Sequence, residues 1–554
     1  MKNFLIKNRY LWFLLIITLG GAYLRFSGLD WGLPWRYHCD ENTFINAANA
    51  MRKAPHFNYL NPKWFYHPSL SIYIVCLLSA AYSLFAPLAL STVHLLGRFN
   101  SAFWGTLSLP MIYLLGKRLY GKLSGILSAL FLSVVVIHVQ VSHFFTPDIM
   151  LVFFLIMTMW FSTGIMRRGM TRDYILAGAA CGVGMASKYW APAILPIVAG
   201  YIFRLRVRGF GWRENRRLLA GLFTAGLIFF ILSPYVILDA PFAVPRILLW
   251  AKKTTGAIPQ IWALHFEGTS RYFFQLMRNL PWGMGPPLFL LSLGGLVFIT
   301  IRHRREDILL SSWIIVNFIL IGSWHIKSIR YLLPIIPFLC LAAGELISEM
   351  LNRKRFRIPG LVIGLAALLW SATFSFAFIH IYLVKHSKTR ASDWIYENLS
   401  PGTGIATDYC IPLGGKNELP DDYVIYPLDF NYLFISNLTR EQKEEYLREA
   451  VSEAEYVILA DELWEYYARA GDTYMAERDF LMKLLSGEEG FSRIKTFKTY
   501  PQIGDWMMED DGAELSFHFF DHPAVYLFQK TINQTTPESQ SDGRRVDGNQ
   551  GNIL

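Results

Sequence analysis

Two carboxylates and a handful of cations stand where an otherwise apolar chain has no ordinary use for charge. The run Trp35-Arg36-Tyr37-His38-Cys39-Asp40-Glu41-Asn42 precedes Phe44, Ile45, Ala48 and Met51 at helical spacing. Asp40 reads either as the N-cap of that helix or as a general base. In the second reading the adjacent carboxylates Asp40 and Glu41, partly desolvated at a membrane surface, repel each other and gain proton affinity. Arg36 is a further candidate in the same run. His143-Phe144-Phe145-Thr146-Pro147-Asp148 brings another carboxylate to the start of an apolar run. Thr146 fits an N-cap, Pro147 the first helical position and Asp148 the first turn. A carboxylate at the edge of hydrocarbon is also costly, which marks Asp148 for function. Asp239, after Ser233-Pro234-Tyr235, is a weaker third candidate that can simply end a span.

Lys188, in Ala186-Ser187-Lys188-Tyr189-Trp190, either snorkels beside its aromatic neighbours or faces a ligand. In Trp324-His325-Ile326-Lys327-Ser328-Ile329-Arg330-Tyr331, Lys327 and Arg330 are three apart at a helix start, a spacing that lets both face one phosphate beside Tyr331. His67, in Tyr66-His67-Pro68, is an interfacial histidine or a phosphate or acceptor contact. There is no nucleotide-phosphate loop, zinc-spaced Cys/His set or nucleophile elbow, which argues against a soluble nucleotide-sugar donor. Carboxylates with cations on one face suit transfer from a lipid phosphate: the carboxylate takes a proton from an acceptor hydroxyl and the cations stabilise the departing phosphate. No cofactor is implied; a divalent metal joining the carboxylates stays open.

The elements that must position these groups are membrane spans. Of 554 residues 53% are hydrophobic and 17% charged, more apolar surface than a soluble fold can hide. Leu11 to Phe26, Leu218 to Leu238 and Leu361 to Leu383 approach or pass the roughly 20 residues needed to cross about 30 Å of hydrocarbon. The net charge of +10 comes in short clusters between apolar runs, which speaks for topology and against nucleic acid. Those clusters are Lys117, Arg118 and Lys122; Arg167, Arg168 and Arg172; Arg204 to Arg217; Arg302, Arg304 and Arg305; and Arg353 to Arg357. Placing all of them on the cytoplasmic side gives spans near 10 to 27, 94 to 116, 123 to 143, 149 to 166, 173 to 187, 189 to 204, 217 to 238, 284 to 301, 308 to 325, 330 to 350 and 359 to 383. Leu70 to Leu90 is left over as a re-entrant or interfacial helix; the alternative is that it crosses and a weaker run does not. The first run, with its basic start and no small-residue cleavage site, reads as an uncleaved anchor.

The expected fold is mainly α: a polytopic transmembrane helical bundle of about eleven crossings in the inner (plasma) membrane, N-terminus cytoplasmic, with the unusual polar residues on the outer face. After Lys385 the runs Tyr456 to Ala460, Ile494 to Lys498 and Val525 to Gln529 predict strands and Arg440 to Ala454 a helix. This divides the chain into a membrane domain over 1–385, an extracytoplasmic α/β domain over 386–533 and a disordered tail over 534–554. Cys39 and Cys410, in polar regions, are the pair that a disulfide would join.

The sequence resembles the dolichyl-phosphate-mannose-type glycosyltransferases of the GT-C superfamily, which include protein O-mannosyltransferases and the lipid A aminoarabinose transferase. The resemblance rests on Asp40-Glu41, Tyr66-His67-Pro68, Gly97-Arg98-Phe99, Gly116-Lys117-Arg118-Leu119-Tyr120-Gly121, Thr146-Pro147-Asp148, Gly182 to Lys188, and Arg330-Tyr331-Leu332-Leu333-Pro334 with Pro337, in that order. It implies an inverting membrane transferase of hexosyl or pentosyl groups, with a polyprenyl-phosphate sugar as donor and a lipid, glycan or protein hydroxyl as acceptor. Asp40 would stand at the catalytic carboxylate, Asp148 would assist, and Lys188, Lys327 and Arg330 would sit near the donor phosphate. Two departures are visible: many relatives carry arginine where His143 stands, and the large lumenal insertion of the eukaryotic members is missing. A transporter or flippase of lipid-linked sugars is the rival reading, but its signs, mid-span charges and an internal repeat, are not found. A structural assembly subunit would leave the carboxylates without work.

Overall fold

In hydrocarbon only a helix satisfies all of its own backbone donors and acceptors, and the apolar runs fold accordingly. The computed structural model describes residues 9–53, 60–408 and 422–531; Cys410 and the tail from 534 lie outside them. Helices Arg9–Phe26, Leu90–Leu119, Asp148–Arg167, Thr171–Ser187, Leu195–Arg208, Trp212–Leu232, Pro286–Arg302, Arg305–Gly322, Ile336–Asn352 and Arg357–Leu383 stand where spans are expected. Among the described residues, length and apolar composition alone qualify three stretches to cross a membrane, Asp148–Arg167, Trp212–Leu232 and Lys354–Asn398, or up to five if two bent pairs are counted. Leu70–Ser83, expected as re-entrant or interfacial, has 14 residues, roughly 21 Å at about 1.5 Å per residue against about 30 Å of hydrocarbon.

The run expected as one span over 123 to 143 is two helices, Lys122–Ser133 and Val136–Ser142, bent by 61°. Arg25, fully buried, sits at the break. Its guanidinium donates to the carbonyls of Leu132 and Ser133, both at 3.1 Å, and to that of Gly21 at 2.9 Å. Carbonyls freed by the break thus find donors inside the protein.

Beyond the last long helix the chain builds a five-stranded sheet in the order Val424–Pro427, Gly404–Thr407, Tyr456–Ala460, Val525–Lys530, Phe491–Phe497. The first three are parallel and the last two join antiparallel. The helix Arg440–Ser452 opens with a capping box between Thr439 and Gln442. Two strands of this sheet escape the sequence reading: Gly404–Thr407 and Val424–Pro427 have four residues each, too few for a period-two pattern to show. Ala513, Phe517 and Phe520 pack in the same buried cluster as the long helices, so the C-terminal region shares a core with the bundle.

Candidate active site

The helix Cys39–Arg52 is capped by His38, which makes no side-chain cap bond. Asp40 is therefore not the N-cap; it lies in the first turn, where the helix dipole favours negative charge. Successive helical residues point about 100° apart, and this separates the two carboxylates read as a pair. Glu41 turns inward, fully buried. It accepts from Arg98 Nε at 2.9 Å and Nη2 at 2.8 Å and from the Phe145 backbone N–H at 2.8 Å. Arg98 Nη1 also donates to the carbonyls of Leu29 and Trp31. Gly97 lets Phe145 come this close: a Cβ there would lie 2.4 Å from the Phe145 ring.

Asp40 turns the other way, and its Oδ2 lies 2.6 Å from Nη1 of Arg330. The expected mutual repulsion is corrected by these pairings. Burial alone would raise both carboxyls, but Arg330 holds Asp40, and Arg98 holds Glu41, below the usual carboxylate range.

Asp148 opens the helix Asp148–Arg167 behind Pro147, one residue from the expected capping frame. Its Oδ1 lies 2.6 Å from Nζ of Lys188. Lys188, at the end of Thr171–Ser187, also sits 5.1 Å from the Tyr331 ring centre. Rather than only snorkelling, it neutralises a carboxylate.

Both ion pairs line one cavity of about 230 Å³ together with His67 and Tyr331. Its walls are aromatic: Phe44, Tyr66, Trp190, Trp250 and Trp324. His67 packs 5.5 Å from the Phe44 ring centre. Burial first, and then the Lys188 charge, push its imidazole down to about 3; a neutral imidazole still offers one N–H to a ligand. Three polar atoms of the cavity-lining residues, Arg330 Nε, Thr146 Oγ1 and Tyr189 Oη, are buried without a hydrogen-bond partner among the described residues. Buried polar groups are nearly always satisfied, so these three atoms stand out beside the cavity.

Other candidates do not reach the cavity. Lys327 is 2% exposed, donates to the His325 carbonyl at 3.0 Å and lies over the Phe266 ring. The 3-10 turn Ile329–Leu332 begins after it, so Lys327 and Arg330 do not share a face as their spacing suggests. Burial pushes Lys327 down to about 8. His143 is buried against Tyr382, ring centres 3.9 Å apart, beside the carbonyls of Val139 and Ser27. Asp239 bonds Lys63 and Asn61 at the end of a short helix, Tyr235–Leu238. Arg36 has φ +57°, and its carbonyl accepts from Asn42 Nδ2. Among the described residues no three His, Cys, Asp or Glu side chains gather to hold a metal. Asp40 and Asp148 are each taken by a cation, a donor set that does not fit a divalent ion.

Trp250 escaped the sequence reading although a signal existed. Ile247, Trp250, Ala251 and Thr254 line the cavity at i, i+3, i+4 and i+7 on the helix Ala240–Thr254, one stripe of an amphipathic helix.

Residues 75–238 match the family model described as dolichyl-phosphate-mannose-protein mannosyltransferase. No curated protein matches the chain. Among solved structures, the archaeal oligosaccharyltransferase AglB from Archaeoglobus fulgidus, in complex with an inhibitory peptide and a dolichol-phosphate, is similar at 14% identity over 85% of this chain and 72% of that one, with a TM-score of 0.55. ArnT from Cupriavidus metallidurans, bound to undecaprenyl phosphate, is similar at 14% identity over 94% of this chain and 98% of that one, with a TM-score of 0.50. At such identities the likeness is one of fold. The resemblance to the GT-C glycosyltransferases, first carried by motifs, is thus also a resemblance of architecture.

Proposed function

We propose that the chain is a membrane glycosyltransferase that moves a sugar from a polyprenyl-phosphate carrier to a hydroxyl of a lipid, glycan or protein, with inversion. The observation that carries this reading is one aromatic-walled cavity holding two carboxylates, each clasped by a cation that has further donors to give. The fold shared with structures solved with dolichol-phosphate and undecaprenyl phosphate supports the lipid-linked donor.

In the proposed reaction Asp40, kept ionised by Arg330, accepts the proton of the acceptor hydroxyl as its oxygen attacks the anomeric carbon. The bond from that carbon to the phosphate oxygen breaks on the opposite face, and the electron pair leaves with the polyprenyl phosphate. Arg330 holds Asp40 through Nη1, and a guanidinium carries further N–H groups that a phosphate oxygen can take. Lys188 adds a second positive charge beside Asp148. A phosphate ester anion departs without help from an acid, so a neutral His67 suffices. Arrival of the phosphate, which shares the Arg330 charge, weakens its hold on Asp40 and raises the basicity of Asp40 at the moment a base is needed. The cavity and the C-terminal region face the extracytoplasmic side of the plasma membrane in this reading.

Transfer of a radiolabelled sugar from a polyprenyl-phosphate donor into membranes, compared between the wild type and Asp40→Asn, tests the proposal. Undiminished transfer by the variant removes the base assignment. Mass spectrometry of surface lipids and glycans with and without the gene then identifies the acceptor.

A further inference from the structure

One buried carboxylate at the junction of bundle and C-terminal region is not used by the transfer chemistry. Glu514 is 1% exposed. Its Oε2 accepts the backbone N–H of Ile329 at 3.0 Å, its Oε1 accepts the backbone N–H of Ser516 at 3.0 Å, and His265 Nε2 lies 3.2 Å from Oε1. The Ser516 hydroxyl also bonds Glu514 and lies 2.8 Å from the Ser328 hydroxyl. Burial alone would raise this carboxyl, but His265 and Ser516 hold it below the usual range, so it stands as an anionic strut.

The amide it grips belongs to the residue directly before Arg330. Within the same stretch Phe520 stacks on His38, ring centres 4.0 Å apart and planes 7° from parallel. The Arg330 guanidinium lies 5.6 Å from the Phe520 ring centre, and His38 caps the helix that carries Asp40. Glu514, Ser516 and Phe520, within one seven-residue stretch, therefore touch the supports of both members of an ion pair that is 290 residues apart in sequence.

We propose that Glu514 is a positioning residue that fixes the turn Ile329–Leu332 so that Arg330 meets both Asp40 and the donor phosphate, which makes the C-terminal region part of the donor site. This rests on the reading of Arg330 as a phosphate ligand. A carboxylate offers acceptors on both oxygens; glutamine offers one acceptor and an NH2 that would face an N–H of Ile329 or Ser516, donor against donor. Glu514→Gln therefore loosens the turn while keeping the volume.

The experiment measures binding of undecaprenyl phosphate to the full-length protein in lipid nanodiscs, in a cycle with Arg330→Ala. Glu514→Gln is expected to weaken binding by about tenfold or more in the wild-type background and to change it little once Arg330 is gone. Equal losses in both backgrounds, or unaltered binding by a folded Glu514→Gln, overturn the proposal. Undiminished binding by Arg330→Ala overturns instead the phosphate reading on which it rests. Glu477→Gln breaks the buried Lys443–Glu477 pair elsewhere in the same region and is expected to leave binding intact; a matching loss there would mean general loosening and sink the positioning role. Should Glu514→Gln fail to fold, Glu514→Asp, which keeps the charge but draws it back from the Ile329 N–H, takes its place; weaker binding by that variant supports the proposal and unaltered binding ends it.

Discussion

Nη1 of Arg330 meets Oδ2 of Asp40 at 2.6 Å, and the side chains are 18% and 35% exposed, both opening on the cavity. In the proposed reading a base and its phosphate-binding partner are thus stored as one neutral unit until a ligand comes to share the cation. Asp40→Asn removes the charge but keeps the shape, so sugar transfer should fall by about 10²-fold or more. The melting temperature should change little because Arg330 retains access to the cavity. A transfer assay beside a thermal melt checks both halves.

Glu41 should behave in the opposite way. With no exposure, three donor contacts and no place in the cavity wall, it anchors the helix Cys39–Arg52 to Arg98. Glu41→Ala leaves a buried guanidinium without its anion, a loss of about 3–5 kcal/mol. Yield and melting temperature should collapse, and whatever fraction folds should still transfer sugar; a stable but inactive Glu41→Ala protein would return Glu41 to the chemistry.

Arg330→Lys is not a conservative change here. Lysine can hold Asp40 or a phosphate oxygen but lacks the fork that reaches both. Donor affinity should drop by about tenfold or more, with the apparent KM for the lipid donor rising more than kcat falls. Lys188→Met should act on the same parameter and in addition leave Asp148 unpaired at the cavity edge. Titration with undecaprenyl phosphate measures both effects.

What the sequence made legible follows from locality. Helices along apolar runs, the N-terminal placement of Asp148 and the strand Tyr456–Ala460 depend on nearest-neighbour patterns, and they appear where those patterns lie. Asp40, Asp148, Lys188, Arg330, Tyr331 and His67 were each singled out by type and position and do line one cavity. Their partnerships were not legible, because Asp40–Arg330 and Glu41–Arg98 span 290 and 57 residues. Lys327 misled because spacing rules assume one continuous helix, whereas here a 3-10 turn starts two residues later. Glu514 carries no sequence signal at all, since its role exists only once the C-terminal region returns to the bundle.

That return is also secured by a group whose charge can be titrated. His522, fully buried, places Nδ1 2.6 Å from Asp521 and Nε2 2.8 Å from Asp510, while Asp521 accepts from Tyr382 at 2.7 Å and from Gln140 at 3.1 Å on the bundle. Burial alone would lower the imidazole, but the two carboxylates outweigh it and push it up to about 10. A folded value above the unfolded one, about 6.5, means a proton bound more tightly in the native state. The resulting stability is complete below about pH 6.5 and drains away as pH rises toward 10. The melting temperature should therefore fall steadily across that window in the wild type. His522→Gln, which does not titrate, should melt lower at neutral pH because two buried carboxylates lose their cation, and its curve should be flatter from pH 6.5 to 10; a wild-type melt equally flat across that interval would show that the C-terminal region is not held to the bundle by an imidazolium.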